Sequence, residues 1–382
     1  MKFRELFDEN MTPKWDEICR IKAFGDMKHT LQSAVWHKEG NVKQHTILVT
    51  EAMQQILDDK GYDKNSEQYL MLMSAAACHD LGKVPTTKFD EEKQDYTTKC
   101  HGAAGARITR KLFYDEEFSL RERVCYMVRH HMDLHHIFDK EDFSTRNIIR
   151  LSHGLVTVEE MLLLNMADSF GSKNDMENRD TIADKARRVR ELAETFDCFT
   201  KPYTFTNEYD KIRFFHFRDR TYPECQSLPK DYGEFTMYVM IGIPGSGKNY
   251  YIENNLKDVV HISRDDIRTE IGIKGEKPQG NKEQESHVTE IFNERMLECC
   301  RNKQSFVLNN TNMLKKYRDA YIDMTMRFMP KIVYVYCEAP SIDECKNRRR
   351  GQMPLDVIDR MFNSLEFPEP TEYNEIIYSV QR

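Results

Sequence analysis

A glycine-rich loop in the second half of the chain constrains its fold more than any other feature. Residues 242–248 have the spacing Gly-x-x-x-x-Gly-Lys, and they follow an apolar run at 235–241 that is typical of a strand. Glycines let the backbone curl so that successive N–H groups face phosphate oxygens, while a helix beginning at the lysine adds its dipole. We therefore predict a nucleotide-phosphate loop formed by Gly242, Gly245, Ser246, Gly247, Lys248 and Asn249.

Asn249 departs from the usual pattern of such a loop. The residue after the lysine is normally Ser or Thr, whose hydroxyl binds Mg²⁺. An amide oxygen can also coordinate a hard cation, so the sequence still predicts binding of ATP or another NTP with Mg²⁺. Because the change lies on the metal side of the site, it bears on the rate of phosphate transfer more than on phosphate binding.

The chain alternates strands and helices from Phe235 to its end. This rhythm is typical of a doubly wound parallel sheet. The predicted strands are 235–241, 259–262, 306–308, 332–337 and 376–380, and the predicted helices are 248–255, 283–301, 315–327, 341–349 and 355–365.

The first half of the chain has a different periodicity. Residues 1–198 show helical patterns throughout, without an alternating strand. Residues 199–234 lose this pattern and contain Pro202, Pro223 and Pro229, which is typical of a linker or docking segment. A length of 382 residues favours a multidomain chain. We predict an all-α domain at 1–198 and an α/β domain at 235–382.

Composition limits the binding partners and the cellular compartment that we expect for this chain. The net charge of −7 does not indicate a surface that coats nucleic acid, so RNA or DNA would need local basic clusters such as 348–350. No apolar run approaches the roughly 20 residues of a membrane span. The ten cysteines are scattered without a Cys-x-x-Cys pair, which favours reduced thiols. We expect a cytoplasmic protein with no membrane segment.

Histidines and aspartates recur at helical positions of the first half. The candidate metal ligands are His45, His79, Asp80, His101, His130, His131 and Asp168. Nitrogen and oxygen donors without cysteine suit one or two divalent ions of Mn, Fe, Co, Ni or Zn. Such a metal can supply hydroxide for attack on phosphorus, with Asp80 bridging two ions and Lys83 holding a phosphate oxygen. The sequence leaves open which of His130 and His131 ligates.

Charged residues beyond the phosphate loop predict transfer of phosphate to a hydroxyl. Asp265 follows the second predicted strand, at the sheet edge where α/β folds bind ligands. It could accept the proton of an attacking hydroxyl, and Arg268 suits a phosphate on the acceptor. The basic cluster 348–350 could close over the transferring group as a lid. Helix capping by Asp265 and helix-dipole interactions of the arginines are the simpler alternatives.

The order of these motifs resembles the 5′-hydroxyl polynucleotide kinases of the viral RNA-repair type. The resemblance covers about residues 236–366 and rests on the phosphate loop and on the segments 264–268, 310–312, 350–351 and 354–358. It implies that Lys248 holds the donor phosphates and that Asp265 is the general base. It also implies that Arg268 grips the acceptor phosphate and that Arg350 is the lid arginine. Members of this family tend to carry Asp where this chain has Asn310.

The histidine series resembles the HD-domain metal-dependent phosphohydrolases. Its signature would be His45, His79, Asp80 and Asp168, with Lys83 in an HD-x-Gly-Lys extension and with His101 and 130–131 matching members that hold two metals. An HD domain followed by such a kinase is similar to bifunctional RNA end-healing enzymes. In these enzymes the kinase adds a 5′-phosphate, and the HD domain removes a 2′, 3′ or 2′,3′-cyclic phosphate before an RNA ligase seals the ends.

Two other interpretations stay open at this point. One is an HD nucleotidase fused to a nucleoside or nucleotide kinase, and the other is an HD hydrolase regulated by a nucleotide-binding module. The sequence does not decide whether the substrate is RNA or DNA. It also leaves the oligomeric state open, and a homodimer is one option.

Overall fold

The computed structural model describes residues 1–140, 143–173, 179–217, 220–223, 228–273 and 281–381. The chain divides into two compact units, Met1–Thr204 and Phe205–Arg382. The first unit contains helices α1 (Trp15–Ile18), α2 (Lys22–Gly25), α3 (Val42–Asp59), α4 (Glu67–Cys78), α5 (Lys83–Thr86), α6 (His101–Leu112), α7 (Phe118–His130), α8 (Ser144–Ser152), α9 (Val158–Gly171) and α10 (Arg179–Thr195), and strands β1 (Thr87–Asp90) and β2 (Asp95–Thr98). The second contains helices α11 (Glu208–His216), α12 (Lys248–Asn255), α13 (Arg264–Glu270), α14 (Lys282–Arg301), α15 (Lys315–Thr325), α16 (Ile342–Arg348) and α17 (Leu355–Ser364), and strands β3 (Thr236–Ile241), β4 (Val260–Ile262), β5 (Phe306–Leu308), β6 (Lys331–Glu338) and β7 (Glu375–Val380).

Helix α4 lies at the centre of the first unit, where it packs against α3, α7 and α9. Its residues from Met71 to Cys78 are all buried, as expected of a helix without a polar face. Helix α3 instead buries one stripe, which includes Val42, Val49 and Met53. The helical character predicted for the first half is confirmed.

The hairpin of β1 and β2 is the exception to that prediction. The two strands pair antiparallel from Thr87 opposite Thr98 to Asp90 opposite Asp95. Each strand has four residues, and neither contains a buried residue. Strands this short and this exposed produce no alternating pattern, so the expectation of no strand in this half was wrong here.

Three glycines bring backbones together around the end of α4. A Cβ on Gly82 would lie 1.8 Å from the His101 carbonyl oxygen and 2.5 Å from the Gly105 amide nitrogen. A Cβ on Gly102 would lie 2.4 Å from the carbonyl oxygen of Arg129 in α7. The turn after α4, helix α6 and helix α7 can therefore approach only because these positions have no side chain.

The second unit is built on a five-stranded sheet with the order β4-β5-β3-β6-β7. All neighbouring strands are parallel, which confirms the predicted α/β architecture. The central strand β3 lies between β5 and β6. The strands that follow it in the chain therefore lie first on one side of β3, as β4 and β5, and then on the other side, as β6 and β7. Ligands of such sheets bind at the carboxyl ends of the strands beside this reversal. Helix α11 belongs to this unit and lies within the segment 199–234 that the sequence assigns to a linker or docking segment.

Two expectations from composition can be compared with the fold. Every cysteine in the part of the chain that the structure describes is a free thiol. None of the described helices combines the length and apolar character that crossing a membrane requires.

We expect Gly82→Ala to lower the free energy of unfolding of the first unit by roughly 3 kcal/mol, since the new methyl group meets backbone that cannot rotate away. Both tryptophans, Trp15 and Trp36, lie in this unit, so their fluorescence during urea unfolding is the measurement. Gly61→Ala is the control: its Cβ would meet no atom within 4 Å, and its φ of +72° costs only about 1 kcal/mol. Equal unfolding midpoints for the two variants would contradict the close approach.

Candidate functional sites

Three helices of the first unit bring His45, His79 and Asp168 together. His45 lies in the first turn of α3, His79 directly follows α4, and Asp168 lies in α9. The Nε2 atom of His45 is 2.9 Å from Asp168 Oδ1 and 3.3 Å from His79 Nε2. All three side chains are buried, and their donor atoms lie within 4.8 Å of one another.

Asp80 lies between this group and a second one formed with His101 and His131. Its Oδ2 is 3.2 Å from His79 Nε2 and 3.5 Å from His45 Nε2. Its Oδ1 is 3.7 Å from His101 Nε2 and 3.8 Å from His131 Nε2. Because each carboxylate oxygen faces a different pair of histidines, Asp80 has the position expected of a bridge between two metal ions.

Hydrogen bonds on the outer nitrogens fix how two of these rings face Asp80. Nδ1 of His79 donates to the Ala76 carbonyl and Nδ1 of His131 donates to the Val128 carbonyl, each at 2.8 Å. A carbonyl oxygen can only accept, so Nδ1 carries a proton, and a ring without a second proton turns its Nε2 lone pair inward. Lone pairs facing a buried carboxylate repel one another unless a cation lies between them. The donor set therefore fits divalent metal ions.

The charge states of Asp80, Asp168 and His131 also suit a metal. Burial alone would raise the pKa of Asp80, but the Lys83 ammonium and the nearby histidines hold it well below its usual value. Burial is likewise outweighed at Asp168, where a hydrogen bond from His135 helps to lower the pKa. Burial and the neighbouring histidines lower the pKa of His131 to about 3. At neutral pH both carboxylates are thus ionised and His131 is neutral, which is the state that ligates.

The structure separates the two histidines between which the sequence could not choose. His131 joins the cluster, with its Nε2 3.1 Å from His101 Nε2. Nδ1 of His130 instead lies 2.9 Å from Asp133 Oδ2, and its ring centroid is 4.4 Å from that of Tyr126. His130 belongs to none of the groups in the described residues that could hold a metal.

Glu39 is a residue of this site that the sequence analysis missed. Its Oε1 lies 2.8 Å from His37 Nδ1 and 2.9 Å from His45 Nδ1, while Oε2 accepts a hydrogen bond from the Lys173 amide at 3.0 Å. Burial lowers the pKa of His45, but hydrogen bonds to Asp168 and Glu39 outweigh it and raise this pKa to about 9. Glu39 thus orients His45 from behind. Its only sequence signal is its place six residues before His45, which no ligand-spacing rule selects.

A cavity of about 550 Å³ opens onto the cluster. Lys83 lies in its wall, where Nζ is 2.8 Å from Asp80 Oδ2 and donates to Gln32 Oε1 at 2.7 Å. The cavity is large enough for a nucleotide. Its wall also includes Trp36, Tyr96, His101, His131, His135, Asp168 and Lys185.

The glycine-rich loop of the second unit follows β3 and opens α12, as predicted. Gly242, Gly245 and Gly247 have φ angles of 152°, 84° and 103°, which residues with a Cβ rarely adopt. Lys248 is the first residue of α12, and its Nζ donates to the carbonyl oxygens of Gly242 at 2.9 Å and Ile243 at 3.1 Å. Burial lowers the pKa of Lys248 to about 8. The loop is therefore curled around its own lysine.

Asp265 and Arg268 share a cavity of about 1010 Å³ with Lys248. Asp265 is largely exposed, with Oδ1 2.6 Å from Arg268 Nη1. Arg268 is held from its other side by Glu285, at 2.8 Å from Nε. The strand order brings these residues to the same sheet edge, so the predicted donor and acceptor groups face one space.

Asn249 and Asn310, the two positions at which this chain departs from the kinase pattern, already make hydrogen bonds. Oδ1 of Asn249 accepts from Asn309 Nδ2 at 3.0 Å, and Oδ1 of Asn310 accepts from the Arg264 amide at 3.2 Å. Both asparagines line the cavity. A cation that used either oxygen would therefore compete with an existing partner.

The predicted lid arginine is not among the residues that line the cavities described beside the loop. Arg350 follows α16, and its Nη2 donates to Asn347 Oδ1 at 3.3 Å. Arg349 lines both the large cavity and a smaller one of about 460 Å³, and Arg348 donates to the Gly245 carbonyl at 3.1 Å. In this conformation Arg348 contacts the loop and Arg349 lines the two cavities beside it.

Two family models match the chain, one over each site. Residues 42–170 match the model described as HD domain, and residues 237–368 match the model described as AAA domain. The chain joins an HD domain to a P-loop kinase-like domain. The HD domain implies a divalent metal, for which the histidine and aspartate clusters are candidates. The kinase-like domain implies a nucleotide with Mg²⁺.

Comparison with individual proteins adds little. No curated protein matches the sequence. Among solved structures, a protein from Chloroflexus aurantiacus that is assigned as a kinase matches with a TM-score of 0.33 and 11% identity, over 39% of this chain and 86% of that chain. A similarity of this size supports no conclusion about fold or function.

We expect Glu39→Gln to weaken divalent-metal binding by the HD domain about 10- to 100-fold, because it removes the charge that holds the Nδ1 proton of His45. Calorimetric titration of metal-depleted protein with Mn²⁺ or Zn²⁺ is the measurement. Glu51→Gln is the matched control, since Glu51 lies on the exposed side of the same helix. Unchanged affinity in Glu39→Gln would show that Glu39 does not orient the ligand.

Proposed function

We propose that this chain repairs RNA ends through two activities. The kinase domain transfers phosphate from an NTP to a polynucleotide 5′-hydroxyl, and the HD domain hydrolyses a 2′, 3′ or 2′,3′-cyclic phosphate with divalent metal. The observation that carries the kinase assignment is the cavity shared by Lys248, Asp265 and Arg268. At about 1010 Å³ it leaves room for a nucleotide acceptor beside the transferred phosphate. An RNA ligase is the functional partner.

The kinase residues divide between donor and acceptor. Lys248 lies buried within the phosphate loop, and bound phosphates favour its protonated form. Asp265 accepts the proton of the 5′-hydroxyl as that oxygen attacks the γ-phosphorus and the nucleoside diphosphate leaves. Arg268 is held in place by Glu285 and contacts the phosphate beside the acceptor nucleotide. Mg²⁺ that enters with the nucleotide would neutralise phosphate charge.

The HD residues provide for hydrolysis at the other end of an RNA break. His45, His79 and Asp168 would hold one metal, His101 and His131 a second, and Asp80 faces both groups. A divalent metal held by these residues would supply hydroxide at neutral pH. Lys83 lies in the cavity wall beside Asp80, where its ammonium can hold a phosphate oxygen. Hydrolysis of a terminal monophosphate adds water across one P–O bond and leaves a free hydroxyl and inorganic phosphate.

A second candidate is a nucleotide-binding domain that regulates the HD hydrolase. The hydrogen bond between Asn249 and Asn309 favours it, because it occupies an oxygen on the metal side of the phosphate loop. This alternative predicts that ATP changes the rate of HD hydrolysis while no phosphate is transferred with any divalent ion.

One substrate tests both activities: an RNA oligomer with a 5′-hydroxyl and a 3′-phosphate, incubated with γ-labelled ATP and a panel of divalent metals. We expect Lys248→Ala and Asp265→Ala to lower label transfer at least about 100-fold while phosphate release persists. Asp80→Ala should abolish phosphate release while label transfer persists. Asp258→Ala, in an exposed turn, is the control for Asp265→Ala.

Each contrary outcome has a distinct meaning. Label transfer to free nucleosides but not to the oligomer would favour a nucleoside kinase. Full phosphate release by Asp80→Ala would contradict the assignment of the metal cluster.

A further inference from the structure

An exposed tryptophan lies at the HD cavity. Trp36 is 49% exposed although it lines that cavity. Among the described residues, no aromatic ring, guanidinium or ammonium group stacks on its indole. An exposed indole at the wall of a cavity offers a large, rigid apolar face to a ligand.

The loop that carries Trp36 is held at both ends. Nζ of Lys83 donates to Gln32 Oε1, and Ser33 Oγ donates to Asp95 of β2. Beyond Trp36, the Lys38 amide donates to the Lys173 carbonyl at 2.8 Å. The indole therefore projects from an anchored loop, so little conformational entropy is lost when a flat ligand binds against it.

The same loop continues into the metal cluster. His37 follows Trp36 directly, and Glu39 contacts both His37 and His45. Tyr96 adds a second aromatic side chain to the cavity wall, where its ring centroid is 5.2 Å from that of Phe89. A ligand in this cavity would thus lie beside a cluster suited to binding phosphate and beside two aromatic side chains. That combination suits a nucleoside bearing a phosphate.

We infer that Trp36 is a stacking platform for the nucleobase of the phosphate-bearing end. Stacking on an indole accepts any base because every base has a π-face, so the platform would bind ends of any sequence, as a repair enzyme requires. The inference rests on the proposed function in naming a polynucleotide end as the ligand. The stacking contact itself concerns only the terminal nucleotide.

The first test is kinetic and compares a 3′-phosphorylated RNA oligomer with the same oligomer whose terminal nucleotide is abasic. We expect Trp36→Ala to raise KM for the intact oligomer roughly 5- to 100-fold with kcat nearly unchanged. Trp36→Phe should keep most of the affinity, and neither variant should change KM for the abasic oligomer. Equal effects of Trp36→Ala on both oligomers would overturn the inference.

The second test is a binding measurement that needs no turnover. The chain has two tryptophans, so full-length Trp15→Phe reports on Trp36 alone and Trp36→Phe reports on Trp15. With Zn²⁺, which does not quench indole, we expect an RNA trimer whose 3′ end carries a methylenephosphonate, with CH₂ in place of the bridging oxygen so that no P–O bond can be hydrolysed there, to quench Trp36 but not Trp15. Its abasic counterpart should quench neither. Absence of quenching by the intact trimer would overturn the inference.

These results separate the stacking site from the proposed function. If Trp36 responds to a nucleoside 3′-phosphate while the wild-type protein releases no phosphate from oligomers, the stacking site stands and RNA-end repair fails. If oligomers are hydrolysed while Trp36→Ala has no base-dependent effect, repair stands and the stacking site fails. Emission of Trp36 that depends on protein concentration without RNA would mean that a second copy of the chain covers it, and would overturn the inference.

Discussion

The HD domain depends on one buried carboxylate. Asp80 holds its two oxygens toward two different pairs of histidines, and such a charge is costly to bury unless cations satisfy it. The segments that carry His101 and His131 approach it where backbone packs against backbone at Gly82 and Gly102. Hydrogen bonds from His79 and His131 to helix carbonyls then turn the ligating nitrogens inward. Packing around α4 and metal chemistry are therefore parts of one arrangement.

In the kinase-like domain, the order of the strands brings the residues of the candidate site together. Parallel pairing places the carboxyl ends of β3, β4 and β5 at one edge, so residues distant in the chain, such as Lys248, Asp265 and Asn310, line one cavity. Helix α15 is tied to this region by the buried pair of Arg318 and Glu372, with Arg318 also donating to the Asn312 carbonyl. The buried ion pair of Arg318 and Glu372 thus stabilises the segment beside the polar edge of the sheet.

Sequence patterns predicted the bounds of helices and strands well where a single physical constraint determines the element. The strand 306–308 and the helix 248–255 have the predicted bounds, because a short apolar run in a parallel sheet and a helix following a phosphate loop leave few alternatives. The hairpin of β1 and β2 was missed because strands of four residues without a buried residue produce no alternating pattern. The cavity-lining role of Arg349 was not foreseen either. The three arginines of the cluster 348–350 are chemically identical, so only the structure shows which of them lines the cavities.

The sequence alone determined that a helical histidine-rich half precedes a parallel α/β half with a phosphate loop, since periodicity and glycine spacing are properties of the chain itself. It also supplied the residues from which the HD cluster is built. Only the tertiary structure decided that His131 and not His130 joins that cluster, that Glu39 stands behind His45, and that Trp36 lies at the cavity. These choices depend on which side chains meet across elements distant in sequence, and spacing along one chain does not contain that information.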